Sequence, residues 1–117
     1  MRHKDEIQQI INSLIEKSNF VLAEREFPDR YRRHLSRFLI RTERLAQLLE
    51  MDGVDYSHEL KTCIGPIMGY PQLILYEATI ENHPCLNDLH HQSIETLQQN
   101  TNHLLRLIND ALLPPKV

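Results

Sequence analysis

The chain is predicted to be all-α, with its helices grouped in two pairs, and three observations carry that expectation. Apolar residues recur in steps of three and four along most of the sequence, the spacing of a helical face. Only three Gly and six Pro punctuate 117 residues, and strand-like alternation never runs far. The interruptions, at Phe27-Pro28-Asp29, Asp52-Gly53 and Glu81-Asn82-His83-Pro84-Cys85, leave segments of a length that helices fill.

The composition narrows the function classes. The length fits one domain with a core of its own. A formal net charge of -3 and a pI near 6.1 argue against bulk attraction to nucleic acid. No apolar run approaches the roughly 20 residues that span a bilayer. The segment Met1 to Gln8 is polar, unlike a signal peptide. Two cysteines, Cys63 and Cys85, make no disulfide framework, so a reducing, cytoplasmic setting is expected.

The first helix is expected from about Lys4 to Ala23, with Ile7, Ile11, Leu14 and Val21 as its stripe and Ile10, Ile15 and Leu22 beside it. Pro28 suits the first turn of a second helix, where a missing N–H costs nothing. That helix is expected to reach Met51, with Tyr31, Leu35, Phe38, Thr42, Leu45 and Leu49 as a heptad-like seam. Away from the seam it carries Arg30, Arg32, Arg33, Arg37, Arg41 and Arg44. This basic stripe reads as a solvated face or as a dock for an acidic protein or nucleic acid. Gly53 suits a helix stop, and Asp55 or Ser57 would cap a third helix running from Tyr56 to Ile80. Pro66 and Pro71 lie inside it and are expected to bend it. A fourth helix is expected from about Leu86 to Leu112, with Ile94, Leu97, Thr101, Leu104, Ile108 and Ala111 as its seam, and Pro114-Pro115 stops it. The last two helices make an antiparallel hairpin whose seam needs the first two helices, a second hairpin from another subunit, or both. The resulting division is a helical pair over 1–53 and a hairpin over 54–117.

The stretch Asp55 to Leu75 holds the chemistry. On a helical wheel Leu60, Ile64, Ile67, Met68, Ile74 and Leu75 fall to one side, and His58 lies ~140° away, facing solvent. Thr62, Gly65 and Gly69 share its face. Neutral imidazole is a good nucleophile, and phosphoryl transfer to it needs in-line access and electrostatic positioning more than covalent machinery. Glu59 is placed to hold the ring tautomer and Thr62 to orient a water or phosphate. On these residues alone, an ordinary surface histidine remains an alternative.

The run S-H-E-L-K-T-C-I-G-P-I-M-G-Y-P-Q-L-I resembles the H-box of the HisKA domain, the dimerisation and histidine phosphotransfer (DHp) domain of sensor histidine kinases. The matching positions are Ser57, His58, Glu59, Leu60, Thr62, Ile67, Gly69, Tyr70 and Leu73, with Lys61, Ile64 and Ile74 conservative. The fourth helix, I-E-T-L-Q-Q-N-T-N-H-L-L-R-L-I-N-D-A-L-L, is similar to the second helix of that domain. Asp55 to Leu113 are covered, about half the chain.

The resemblance implies a helical hairpin that forms a dimeric four-helix bundle, here with two additional N-terminal helices. It implies His58 as phosphoacceptor and Glu59 as acid/base partner. Glu59 with Thr62 matches the E-x-x-T element associated with phosphatase activity toward a response regulator. Lys61, Gly65, Gly69 and Leu73 become the docking face. Two departures stand out: Cys63 replaces the proline of the family pattern, with Pro66 and Pro71 appearing instead, and the family's ATP-binding domain does not follow before Val117. Nothing resembles a P-loop, so no autonomous ATP-dependent kinase activity is expected.

The expected function is therefore phosphotransfer at His58 in trans, with response regulator receiver domains or a separate kinase, in a homodimer. No cofactor is expected on this chain, with Mg²⁺ carried by the partner. The alternatives are a non-catalytic HisKA-like adaptor that regulates a kinase or response regulator, and a kinase fragment. His83, Cys85, His90 and His91 are zinc-competent residue types at a spacing that matches no common zinc motif, so no metal site is expected. His34 and His103 are expected at the surface.

Overall fold

A computed structural model describes residues 3–50, 56–81 and 86–112, with the side chains at 56–61, 64, 81 and 112 lying outside that description. Four α-helices account for nearly all of it: α1 (Lys4–Leu22), α2 (Asp29–Glu50), α3 (Tyr56–Tyr76) and α4 (Asp88–Leu112), with a π-helical turn, Glu77–Glu81, continuing α3.

Helix α1 opens with Asp5 and Glu6 in its first turn, where carboxylates suit the positive end of the helix dipole. Its buried line is Ile7, Ile11, Leu14, Ser18 and Val21, so the expected stripe holds with a serine completing the four-three rhythm. At its C-terminus Ala23 N–H donates to the Asn19 carbonyl at 3.0 Å. The Arg32 guanidinium donates to the carbonyls of Leu22 and Glu24, groups a helix end leaves without intrahelical donors. The Pro28 carbonyl accepts from the N–H groups of Tyr31 and Arg32. Pro28 thus sits just ahead of α2, where its fixed φ and lack of a donor are harmless.

All six expected seam residues of α2 are buried, and Leu48 joins them. Thr42 is tolerated there because its hydroxyl donates to the Phe38 carbonyl at 2.7 Å, and in α4 Thr101 does the same to Leu97 at 2.6 Å. Helix α3 runs through both Pro66 and Pro71. It ends at Tyr76, earlier than the sequence pattern suggests, because the chain widens there into the π-helical turn. That turn carries the consecutive buried side chains Glu77 and Ala78. Helix α4 starts at Asp88, two residues later than expected. Asn87 is its cap, the Oδ1 accepting from His90 N–H at 2.7 Å.

The helices pack as a ring, α1 against α2 and α4, and α3 against α2 and α4, without diagonal contact among the described residues. Their short connections make neighbours antiparallel. His3 Nε2 lies 2.6 Å from the Asp110 carboxylate, tying the start of α1 to the end of α4. At the other end Phe27 packs on Tyr31 (centroids 6.3 Å apart) and meets the His90 ring edge-on at 5.4 Å. One core runs the length of the bundle, from Ile7 through Phe38 and Leu45 to Ile94 and Ile108. Each fully buried Leu or Ile there contributes about 1.5–3 kcal/mol.

The hairpin seam Ile94, Leu97, Thr101, Leu104 and Ile108 is buried, with Ala111 half-buried. Within this chain it is covered by α1 and α2. The breaks expected at Asp52-Gly53 and at residues 82–85, the caps Asp55 and Ser57, and Pro114-Pro115 lie outside the described residues or side chains.

Candidate functional site

The candidate site is built on the outer side of α3. The buried side is Cys63, Ile67, Pro71, Ile74 and Ala78. Opposite it runs an exposed line of Thr62, Gly65, Gly69, Leu73, Tyr76 and Ile80, in steps of three and four. Its lower half is apolar: Leu73 is 38% exposed, Tyr76 53% and Ile80 67%. Its upper half is bare backbone. A methyl group built on Gly65 or Gly69 meets nothing within 4 Å beyond the local helix backbone. A helix glycine is about 1 kcal/mol less stable than alanine, and no described contact within the chain uses the space these two leave.

Of the expected site residues, the structure brings Thr62, Gly65, Gly69 and Leu73 onto this one face. The side chains of His58, Glu59 and Lys61 lie outside the described residues. The backbone at position 58 belongs to α3, one turn ahead of Thr62.

Helix α2 flanks this face and holds the site's electrostatics. Glu77, largely buried, accepts from Arg30 through both carboxylate oxygens, Nε to Oε2 at 3.0 Å and Nη2 to Oε1 at 3.2 Å. His34 Nε2 lies 3.5 Å from the same Oε2. His34, expected at the surface, is instead tucked between α2 and the π-helical turn, because its register falls between the seam and the arginine stripe. Sequence reasoning missed this cluster. Its only local signal is a carboxylate inside the apolar run Leu73-Ile74-Leu75-Tyr76-Glu77-Ala78.

The arginine stripe also divides. Arg32 turns to the end of α1, and Arg30 is committed to Glu77. Arg33, Arg37, Arg41 and Arg44 are exposed, with no carboxylate at ion-pair distance among the described residues. Arg37, Ile40, Arg41 and Arg44 line a groove of about 470 Å³ with Tyr70 of α3, and a second groove of about 510 Å³ continues it through Arg33, His34 and Glu77.

Two histidines of the considered zinc set diverge. His90 is buried against Phe27, whereas His91 faces outward, its Nδ1 2.8 Å from the Glu95 carboxylate. His83 and Cys85 lie outside the described residues. His103 is exposed, as expected.

The family model described as the His Kinase A (phospho-acceptor) domain matches residues 55–116, more than half of the chain. The chain belongs to the HisKA family. Membership places it in two-component phosphotransfer and dimerisation, and the matched segment is α3, the π-helical turn and α4, while α1 and α2 lie outside it. No curated protein and no solved structure matches the chain. Among the described residues, no helix is long and apolar enough to cross a membrane.

Proposed function

We propose that the protein is a histidine phosphotransfer protein of two-component signalling, which exchanges phosphoryl groups in trans between His58 and the aspartate of a receiver domain. The observation that carries this reading is the pair of open glycines. Gly65 and Gly69 weaken α3 and serve no described contact in the chain, yet they clear a path for a partner's backbone along the face that leads to position 58. Continuing the register of α3 puts position 58 ~180° from the buried line, at the head of the exposed stripe.

In the transfer, an unprotonated imidazole nitrogen of His58 attacks phosphorus in line as the phosphorus–oxygen bond of the partner's aspartyl phosphate breaks. The carboxylate leaves on the partner, and the second ring nitrogen keeps its proton. Glu59 is assigned to orient that N–H, and Thr62 to position the phosphoryl oxygens or, in hydrolysis, a water. Lys61, Gly65, Gly69 and Leu73 receive the partner. Mg²⁺ is held by the partner's carboxylates, not by this chain, and the exchange takes place in the cytoplasm. Within one chain α1 and α2 pack on the hairpin, and the homodimer that the family implies forms by another face or by exchanging these helices for a second hairpin. Light scattering reads this directly, at 13.8 kDa or twice that mass.

The test is to incubate the protein with receiver domains carrying labelled aspartyl phosphate. Acid-labile, base-stable label is expected on the wild type and none on His58→Ala. Equal labelling of the two, or of neither, sinks the reading. The second reading, a non-catalytic adaptor, is favoured by the presence of α1 and α2 outside the family segment. It expects His58→Ala to keep its biological effect.

A further inference from the structure

Helix α2 has six arginines against three carboxylates in a chain of net charge -3, so positive charge is concentrated on one helix of an otherwise acidic molecule. Two of the six are spent on structure, Arg30 on Glu77 and Arg32 on the α1 terminus. The other four, Arg33, Arg37, Arg41 and Arg44, follow steps of four, four and three, which stack them along one face over ~16 Å of helix. Like charges at this spacing repel by a few tenths of a kcal/mol per pair, and none of the four has a described carboxylate within ion-pair distance. Their groove is shared with Tyr70, which adjoins Gly69, and its continuation with Glu77, which adjoins Tyr76. The arginines therefore flank α3 between Tyr70 and Glu77, beside the lower part of its exposed face.

We propose that Arg33, Arg37, Arg41 and Arg44 form a docking rail for the acidic rim of the receiver domain that exchanges phosphoryl groups with His58. The inference rests on the function proposed above and extends it to a helix outside the family segment. The occupant follows from chemistry. A protein that carries an aspartyl phosphate and binds Mg²⁺ must gather several carboxylates around its reacting group. Guanidinium forks pair with carboxylates in bidentate geometry. A nucleic acid fits less well, because the molecule is acidic overall and the neighbouring strip of α3 is glycine and apolar side chains, a surface suited to protein contact. The rail steers encounter and sets register, while His58 and its neighbours carry the transfer.

The experiment uses the full chain, its Arg37→Glu/Arg41→Glu/Arg44→Glu variant and the corresponding Gln variant, with purified receiver domains of the source genome as probes. All three positions are exposed, so circular dichroism should be unchanged. If the Glu variant does not fold, the Gln variant carries the test. Binding and labelled transfer are measured from 50 to 300 mM NaCl. The expected result is a KM for phospho-receiver raised about tenfold or more in the Glu variant, a flatter salt dependence, and a transfer rate at saturation unchanged. Unchanged KM and salt dependence with transfer intact overturns the rail and leaves the phosphotransfer reading standing. Arginine-dependent binding without label on His58 leaves the rail and overturns that reading. Absence of binding to every receiver tested, or tighter arginine-dependent binding to duplex DNA, overturns the rail.

Discussion

Helices α2 and α3 lie side by side and are built by opposite rules. Helix α2 keeps apolar residues inside, arginines outside and a strict alternation of three and four, with no glycine or proline between Asp29 and Glu50. Helix α3 contains two prolines and two glycines, exposes Leu73 and Tyr76, and loosens into a π-helical turn that begins with a buried glutamate. Local propensity, capping and patterning agree along α2 and conflict along α3. Such conflicts are expected where a sequence answers to something besides its own fold. The contrast points, independently of any histidine, to the outer side of α3, where the space left by Gly65 and Gly69 serves no described contact within the chain.

The first way to break this comparison is in the core, where the two helices should behave alike. Leu45 of α2 and Ile74 of α3 are both fully buried. Replacing either with Ala should cost about 2–5 kcal/mol, read as the shift in a urea midpoint. Leu104→Asp in α4, which buries an unpaired charge, should leave no folded protein by circular dichroism. Much smaller losses at Ile74 than at Leu45 would mean that α3 is loosely held on both sides, and the contrast would then be one of general disorder in packing, not of a specialised face.

Glu77 gives the next effect. It is 7% exposed and holds Arg30 and His34 against α3. Glu77→Ala should destabilise by about 1–3 kcal/mol, since it strands one half-exposed guanidinium and a mostly buried imidazole. Arg30→Ala should cost at least as much, because it leaves the largely buried Glu77 carboxylate with His34 as its remaining described partner. Thermal melts of the two variants rank them. Equal losses would show that the pair acts as one buried unit.

How far the sequence discloses these regions follows from where each signal lies. The seam of α2 is legible because every position in it is apolar or a threonine that bonds its own helix. The inner side of α3 is only partly so. Its true line includes Cys63 and Pro71, which a hydrophobic pattern undervalues, while the apolar Met68 and Leu75 are only half-buried. The stripe of Thr62, Gly65, Gly69 and Leu73 is fully legible from helical spacing. The cluster at Glu77 is not, because its partners lie 43 and 47 residues away on α2 and no local pattern announces them. Arg32 shows the same limit. It stands among the other arginines in sequence, but a turn of 100° per residue carries it to the opposite flank, where it meets the end of α1. Nor does the pattern choose between a second hairpin and α1–α2 as cover for the seam, since both would present an apolar stripe of the same period.

The smallest expected effect in energy is the sharpest test of the contrast, and it concerns the glycines. Inside the chain there is room for a methyl group at Gly65 and at Gly69, and neither residue has the left-handed backbone that would penalise a side chain. Alanine should therefore stabilise the protein at each position by up to about 1 kcal/mol, through higher helix propensity and a less disordered unfolded chain. If the face is a docking surface, the same substitutions should weaken receiver binding, because a Cβ would stand where the partner's backbone approaches. Stability and docking then move in opposite directions, and a urea titration beside a binding titration reads both from one protein. Alanine that stabilises without weakening binding would remove the glycines from the interface. Alanine that destabilises would show that the chain itself needs them, and the contrast between α2 and α3 would lose its functional meaning.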